Sequence, residues 1–339
     1  MGRTRDTSKI FTSLQNIDVS SSLDTRIFIS SASPTSGNTD GRIWIDTSTA
    51  SAPVMQVFGS SYFRNPKTGR IKGIGGMVSS FGAYTYHAFT ATSTFTPIES
   101  VVCEILVIAG GGSGGRYYGG GGGAGGVVYH ANQSLLVNTQ YSITVGAGGA
   151  GSTGGTLNSA AGTNGNNSQF SSLTAAIGGG AGGTTSNNSS SSANGVSGGS
   201  GGGGAFGDTT RSSATSAQGS AGGMEIGSGA YGGSGGGGAG GQGGDFTANG
   251  VGGAGGVGTS SYSTWGLATN TGENISGTYW YAGGGAGNIQ AAFAFGGNGG
   301  GGDSNGPTAG MVNTGGGGSE RDQIGSSGGS GIIILRYLT

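Results

Sequence analysis

Gly110, Gly112 and Gly115 stand in G-x-G-x-x-G spacing directly after the apolar run Val101 to Ala109. By this pattern, backbone amides at a helix N-terminus hold the pyrophosphate of a dinucleotide. The chemistry needs two further features, and the chain supplies neither. A helix must open at the third glycine, but Arg116-Tyr117-Tyr118 and a run of glycines follow, which cannot sustain one. An acidic residue must come about 20 residues on, yet after Glu104 the next carboxylate is Asp208. Other reactive side chains are few. His87 and His130 lie in strand-like contexts, and the single cysteine, Cys103, sits in a strand where an inert buried thiol is expected. Glu320 and Asp322 form the one close carboxylate pair. This is too little for a zinc ligand set or for paired-acid hydrolysis. The expectation is a protein without catalytic residues, metal or cofactor.

The residues suited to binding are aromatic. The richest stretch is S-Y-S-T-W-G-L-A-T-N-T-G-E-N-I-S-G-T-Y-W-Y-A, with Tyr262, Trp265, Tyr279, Trp280 and Tyr281; Phe206, Phe293 and Phe295 stand in other segments. Rings among Ser, Thr, Asn and Gly give rigid amphipathic contact area plus adaptable hydrogen bonding, the composition of a paratope. The same rings could instead plug the ends of a scaffold.

That scaffold is a matter of glycine. The chain has 339 residues, 86 of them glycine, with 8% charged residues and a formal net charge of −1. Nine glycines precede Cys103 and 77 follow it. Charge divides at the same place, +3 through Cys103 and −4 from Glu104 onward. Such composition without a period suggests disorder, but apolar runs (Val127 to Tyr129, Tyr141 to Val145, Gly331 to Arg336) and recurrent aromatics punctuate the glycine. Ordered glycine is the better reading. Blocks recur at irregular spacing from Gly119–Gly126 to Gly315–Gly318, so there is no fixed-period solenoid. Ordering glycine is entropically expensive, and what only glycine allows in return is close backbone approach. Packed polyglycine-II-like helices, three residues per turn, provide it.

Ahead of the glycine lies an ordinary polypeptide. Residues 1–25 read as a polar N-terminal arm with Ile10, Phe11 and Leu14, ordered by a partner. Residues 26–75 read as a small β module with a basic linker: strands at Arg26-Ile-Phe-Ile-Ser, Arg42-Ile-Trp-Ile-Asp and Val54-Met-Gln-Val-Phe, then a loop-like stretch over 64–80. The run P-T-S-G-N-T-D-G-R-I-W-I-D-T-S-T, followed by P-V-M-Q-V-F-G-S-S-Y-F, resembles a module that recurs in bacteriophage tail fibres. Arg42, Gly59 and Phe63 stand where that module more often has Asp, Asp-Gly and Trp. The resemblance implies virion docking through Ile10, Phe11, Leu14, Trp44 and Phe63. A module this small needs a partner chain or trimerisation.

Residues 76–339 read as one glycine-rich β/polyglycine domain, and nearly all of 80–339 resembles the glycine-rich domain of phage tail fibres, tip adhesins and other virion proteins, most specifically in the opening strand E-I-L-V-I-A-G-G-G and the closing G-S-G-I-I-I-L-R-Y. The expectation is therefore an all-β chain, with a small N-terminal module followed by a glycine-rich domain of strands and packed polyglycine-II-like helices and essentially no α-helix. The resemblance implies a virion protein, made in the host cytoplasm without a secretion signal or membrane insertion, and placed on the tail or particle surface. It would be a homo-oligomer, with a trimer favoured, binding other virion proteins through its N-terminal region. A host-surface glycan or outer-membrane protein would meet the aromatic loops, with no role for nucleic acid. The alternative is a non-adhesive capsid or tail decoration protein. An ice-binding face is disfavoured, because it would be flat and regular in Thr or Ala.

Overall fold

The computed structural model describes residues 71–152, 162–185, 194–226, 231–247, 251–288, 293–306, 308–321 and 324–339, and the backbone of 27–30, 43–46, 54–59, 62–64, 186 and 189–193. The chain divides into two units, Met1–Arg70 and Ile71–Thr339.

In the first unit, β1 (Ile27–Ser30), β2 (Ile43–Asp46), β3 (Val54–Gly59) and β4 (Tyr62–Arg64) form one sheet in that order. The β1–β2 pair is parallel and the others are antiparallel. Register sets Trp44 opposite Gln56 and Phe63 opposite Phe58. Ile10, Phe11 and Leu14 lie outside the described residues.

The second unit begins with β5 (Gly73–Ile74), β6 (Met77–Phe81), β7 (Tyr84–Phe89), β8 (Ser93–Pro97) and β9 (Val101–Ile108). Next come β10 (Val127–Leu135), β11 (Tyr141–Thr144) and β12 (Gln169–Phe170). Short pairs follow: β13 (Thr184–Ser186) with β14 (Ser189–Ala193), and β15 (Glu225–Ile226) with β16 (Phe246–Thr247). Helix α1 (Ser263–Thr269) precedes the hairpin β17 (Glu273–Ile275) and β18 (Thr278–Trp280). Then β19 (Glu320–Arg321) pairs with β20 (Ile324–Gly325), and β21 (Ile332–Leu338) closes the chain. The architecture is all-β apart from α1. The stretch 64–80, expected as loop, contributes β5 and all but the last residue of β6, edge strands too short or too exposed to show alternation.

Two sheets make the core. An antiparallel sheet ordered β10-β9-β21-β7-β6 faces a second ordered β12-β11-β8-β5. Between them lie Phe89, Phe95, Ile105, Val107, Ile143, Phe170, Ile333 and Leu335, with Cys103 buried among them. The first sheet's other face carries Tyr86, Leu106, Ile108, Ile332 and Ile334, equally buried. With both faces covered, β9 and β21 read as nearly continuous apolar runs. Strand β21 pairs with β7 and β9, so the last strand of the unit joins its opening ones.

The glycine leaves the sheet at a single level. Val127 and Ile332 both register opposite Ile108, the last residue of β9. From there the segments follow a different rule. The N–H groups of Gly120, Gly123 and Gly126 donate to the carbonyls of Gly183, Gly180 and Ile177. Gly121 and Ala124 donate to Ser234 and Gly237, and Gly122 and Gly125 to Gly318 and Gly315. Each neighbour is thus met every third residue, where a strand would meet one every second. Residues 109–115 repeat the pattern, with donors at 109, 112 and 115 reaching Gly126, Gly123 and Gly120. Where a backbone acceptor is missing, a side chain completes the count: Asn167 and Asn164 accept from Gly178 and Ala181 through Oδ1 at 2.8 and 2.9 Å. A Cβ at Gly122 would fall inside the van der Waals envelope of the Gly112 carbonyl, which leaves glycine the only residue able to pack there.

Candidate functional site

The residues singled out by sequence separate into two groups at opposite ends of the glycine segments. One group lies against the sheet. Helix α1 and the residues just after the β17–β18 hairpin, all from the aromatic stretch, cover the apolar second face with Trp265, Tyr281 and Ala282. Trp265 is 3% exposed, Tyr279 8% and Tyr281 0%; Tyr262 and Trp280 are half-buried. Expected as a displayed loop, this stretch instead buries three of its five rings. The reason is physical: glycine has no side chain to cover Leu106, Ile108, Ile332 and Ile334, so rings must. Tyr281 donates or accepts at Thr271 Oγ1 (2.8 Å), keeping its buried hydroxyl paired.

Around Trp265 the packing is directional. Tyr86 meets its ring edge-on at 5.9 Å, Tyr262 at 6.0 Å and Tyr129 at 6.2 Å. The Arg336 guanidinium sits 4.4 Å from the ring centres of both Trp265 and Tyr84, and its Nε donates to Glu104. Tyr129 donates to the other Glu104 oxygen at 2.5 Å. Burial pushes the Glu104 carboxyl up, but the Arg336 and Tyr129 hydrogen bonds outweigh it and hold the group below its ordinary value. Burial, then the bond to Glu104, pushes the Tyr129 phenol up to about 12. This cluster fastens helix to sheet.

The second group lies at the far end. Residues 109–115 run away from the sheet and 120–126 return, joined by a turn at Arg116-Tyr117-Tyr118-Gly119. Tyr117 and Tyr118 both have positive φ, 48° and 53°. For an L-residue this conformation costs about 1–2 kcal/mol, and for a bulky one it is an outlier. Glycines flank the turn and would adopt it without strain. The Tyr118 ring lies 4.9 Å from Tyr231, which lies 4.8 Å from Phe206, and Phe206 N–H donates to the Tyr118 carbonyl at 3.0 Å. The Thr185 hydroxyl donates to the Tyr117 carbonyl, and Arg116, itself buried, sits 5.1 Å over the Tyr117 ring.

Acids at this end serve as supports. Asp208 accepts from Thr210 N–H (3.0 Å) and Oγ1 (2.8 Å) and from Gly195 N–H (3.1 Å). Glu225 accepts from Gly207 N–H, and Asp245 pairs with Arg211 at 2.5 Å. Tyr231 is 42% exposed, and on other segments Phe293 and Phe295 are 48% and 66% exposed, with Arg321 4.6 Å over Phe293. Of the sequence candidates, then, Phe293 and Phe295 are exposed, and Phe206 is half-buried like Tyr262 and Trp280. Tyr117, Tyr118 and Tyr231 belong with Phe206 and were missed. The readable signal was two tyrosines inside a glycine turn.

The histidines weighed for catalysis have structural partners, and Asp322 lies outside the described residues. His87 bridges the Gly75 carbonyl (2.7 Å) and the Tyr337 hydroxyl (2.8 Å). Burial lowers its pKa, and pushes the Cys103 thiol up to about 12. His130 meets the Thr174 carbonyl at 3.1 Å. The N–H groups of Gly110, Gly112 and Gly115 donate within the protein, to Asn166, Gly123 and Gly120. Among the described residues no cluster of three His, Cys, Asp or Glu could hold a metal.

A family model described as a glycine-rich domain matches residues 88–338. Comparison with curated proteins gives no match.

Proposed function

The chain belongs to the glycine-rich domain family, and from that premise we propose that it is a non-enzymatic virion protein of the phage tail-fibre or tip-adhesin type. Its glycine segments are packed polyglycine-II-like helices, a reading supported by the three-residue spacing of their hydrogen bonds. A seven-residue segment of that kind is about 22 Å long, and it holds the Tyr118–Tyr231–Phe206 cluster away from the sheet. The cluster is the contact surface for a host-surface glycan or outer-membrane protein. The N-terminal unit, with Trp44 and Phe63, docks on other virion proteins, and the assembly is a homo-oligomer, with a trimer favoured.

One observation carries this reading. Two tyrosines occupy left-handed backbone positions in a turn bounded by glycine. Folding alone would be served better by glycine there, so the rings are retained for what they touch. The test is binding of the labelled full-length chain to candidate host cells, beside a Tyr117→Gly/Tyr118→Gly variant. Saturable binding that falls at least about tenfold in a variant of undiminished stability is expected, the loss of one or two aromatic contacts. Unchanged binding would move the contact elsewhere. Absence of binding to any permissive host would favour the decoration protein.

A further inference from the structure

At the sheet end, where the glycine segments turn back, lies an open cleft of about 290 Å³ lined by Val127, Ala217, Gln218, Ala239, Thr259, Ser261 and Tyr262 among others. We propose that this cleft is a second binding site, separate from the aromatic tip, and that it takes a single neutral sugar ring.

Three features of the cleft argue for this. First, its walls are uncharged and more polar than apolar, with the Thr259 and Ser261 hydroxyls, the Gln218 amide and the Tyr262 phenol beside the aliphatic surface of Val127, Ala217 and Ala239. That mixture suits a hydroxylated ring with one apolar face. Its volume is at the small end for ligand pockets, enough for one ring but not for a chain of them.

Second, the groups are held in place before any ligand arrives. The Gln218 side chain accepts from Ile177 N–H at 2.8 Å and donates to the Ala175 carbonyl at 3.1 Å. The Tyr262 ring is fixed between Trp265 at 6.0 Å and Tyr129 at 5.9 Å, while its carbonyl accepts from Trp265 and Gly266 at the start of α1. Preorganisation of this kind reduces the entropy lost on binding.

Third, the turn that forms one wall keeps a strained residue without a folding reason. Gln218 N–H closes the turn on the Thr215 carbonyl at 3.0 Å, and Ala217 within it has φ 60°. The other alanine at positive φ, Ala282 at 57°, is fully buried and fills the core beside Tyr281. Ala217 is exposed. In a chain with 86 glycines, its methyl group remains as part of the cleft wall.

The experiment is saturation-transfer NMR of the full chain with methyl glucoside, galactoside, mannoside and N-acetylglucosaminide, each alone. At least one is expected to receive transfer. The signal is lost in Ser261→Trp, which fills the cleft from an exposed position, and binding weakens about fourfold in Ala217→Gly, the weight of one methyl contact, with the melting temperature not lowered. A wild-type chain silent toward all four glycosides, or a signal that survives Ser261→Trp, would overturn the proposal. Because Tyr117 and Tyr118 lie at the other end of the segments, their glycine variant leaves this signal intact, so failure here and failure at the tip are told apart.

Discussion

Two aromatic clusters sit at the two ends of the same glycine segments and are used in opposite ways. Against the sheet, Trp265 and Tyr281 vanish into the core, and even the cation Arg336 is drawn in between rings. At the far end, the exposed Tyr231 meets the half-buried rings of Tyr118 and Phe206 at tilted angles. Residue type does not separate them. What each cluster has to cover does: the first faces a sheet of isoleucine and leucine, while the second gathers around a turn bounded by glycine.

The comparison breaks first at Trp265. Trp265→Ala should destabilise the chain by about 3–5 kcal/mol, the range for a buried large aromatic, measured by urea unfolding; Tyr231→Ala should change stability by less than about 1 kcal/mol. Equal losses would mean the far cluster is core as well. Next comes the backbone between the clusters. Gly122→Ala forces a methyl group into the Gly112 and Ser113 carbonyls, while Gly82, at φ 61°, has open space around it. Expected losses are about 3 kcal/mol for Gly122→Ala and about 1 kcal/mol for Gly82→Ala.

Acid sharpens the comparison from the sheet side. The Glu104 carboxyl lies below its ordinary value in the folded state, so its contribution is present above the unfolded value of 4.5 and disappears as pH falls through the folded one. His87 works in the window above. Its buried imidazole is held below 6.5, so as pH drops under 6.5 the unfolded chain takes the proton first and stability declines. Unfolding free energy followed from pH 7 to pH 3 should therefore fall in two stages, with His87→Gln flattening the upper and Glu104→Gln the lower. A single stage unaffected by either change would refute this assignment. The smallest effect belongs to the tip, where Tyr117→Gly/Tyr118→Gly should leave stability unchanged or raise it by about 1 kcal/mol, relief of strain offsetting the entropy of glycine.

Legibility in the sequence followed the source of each element's stability. Strands β7, β9, β11 and β21 announce themselves because burial is written in their alternation or their apolar runs. Helix α1 does not: Ser-Thr-Trp-Gly-Leu-Ala-Thr is a poor helix former, and its seven residues hold because Trp265 is anchored from the sheet. Strands β5 and β6 were hidden in a basic stretch because an edge strand needs no pattern of its own. Of the aromatic candidates, Trp265, Tyr279 and Tyr281 are buried while Phe293 and Phe295 are exposed, a division that no local pattern marks. Whether a ring near Gly232 meets one near Gly119 depends on which glycine segments lie side by side, and a run of identical residues carries no mark of its neighbours.

The hydrogen-bond pattern of the glycine segments acts as a reading frame. Each N–H along 120–126 addresses one of three neighbours in strict rotation. Inserting one residue there would turn every later donor to the wrong neighbour, whereas three residues would restore the rotation. Length can change within the bundle only in threes, and in adjoining segments together. The turns at its ends are under no such rule. A change of length at those turns leaves the scaffold in phase.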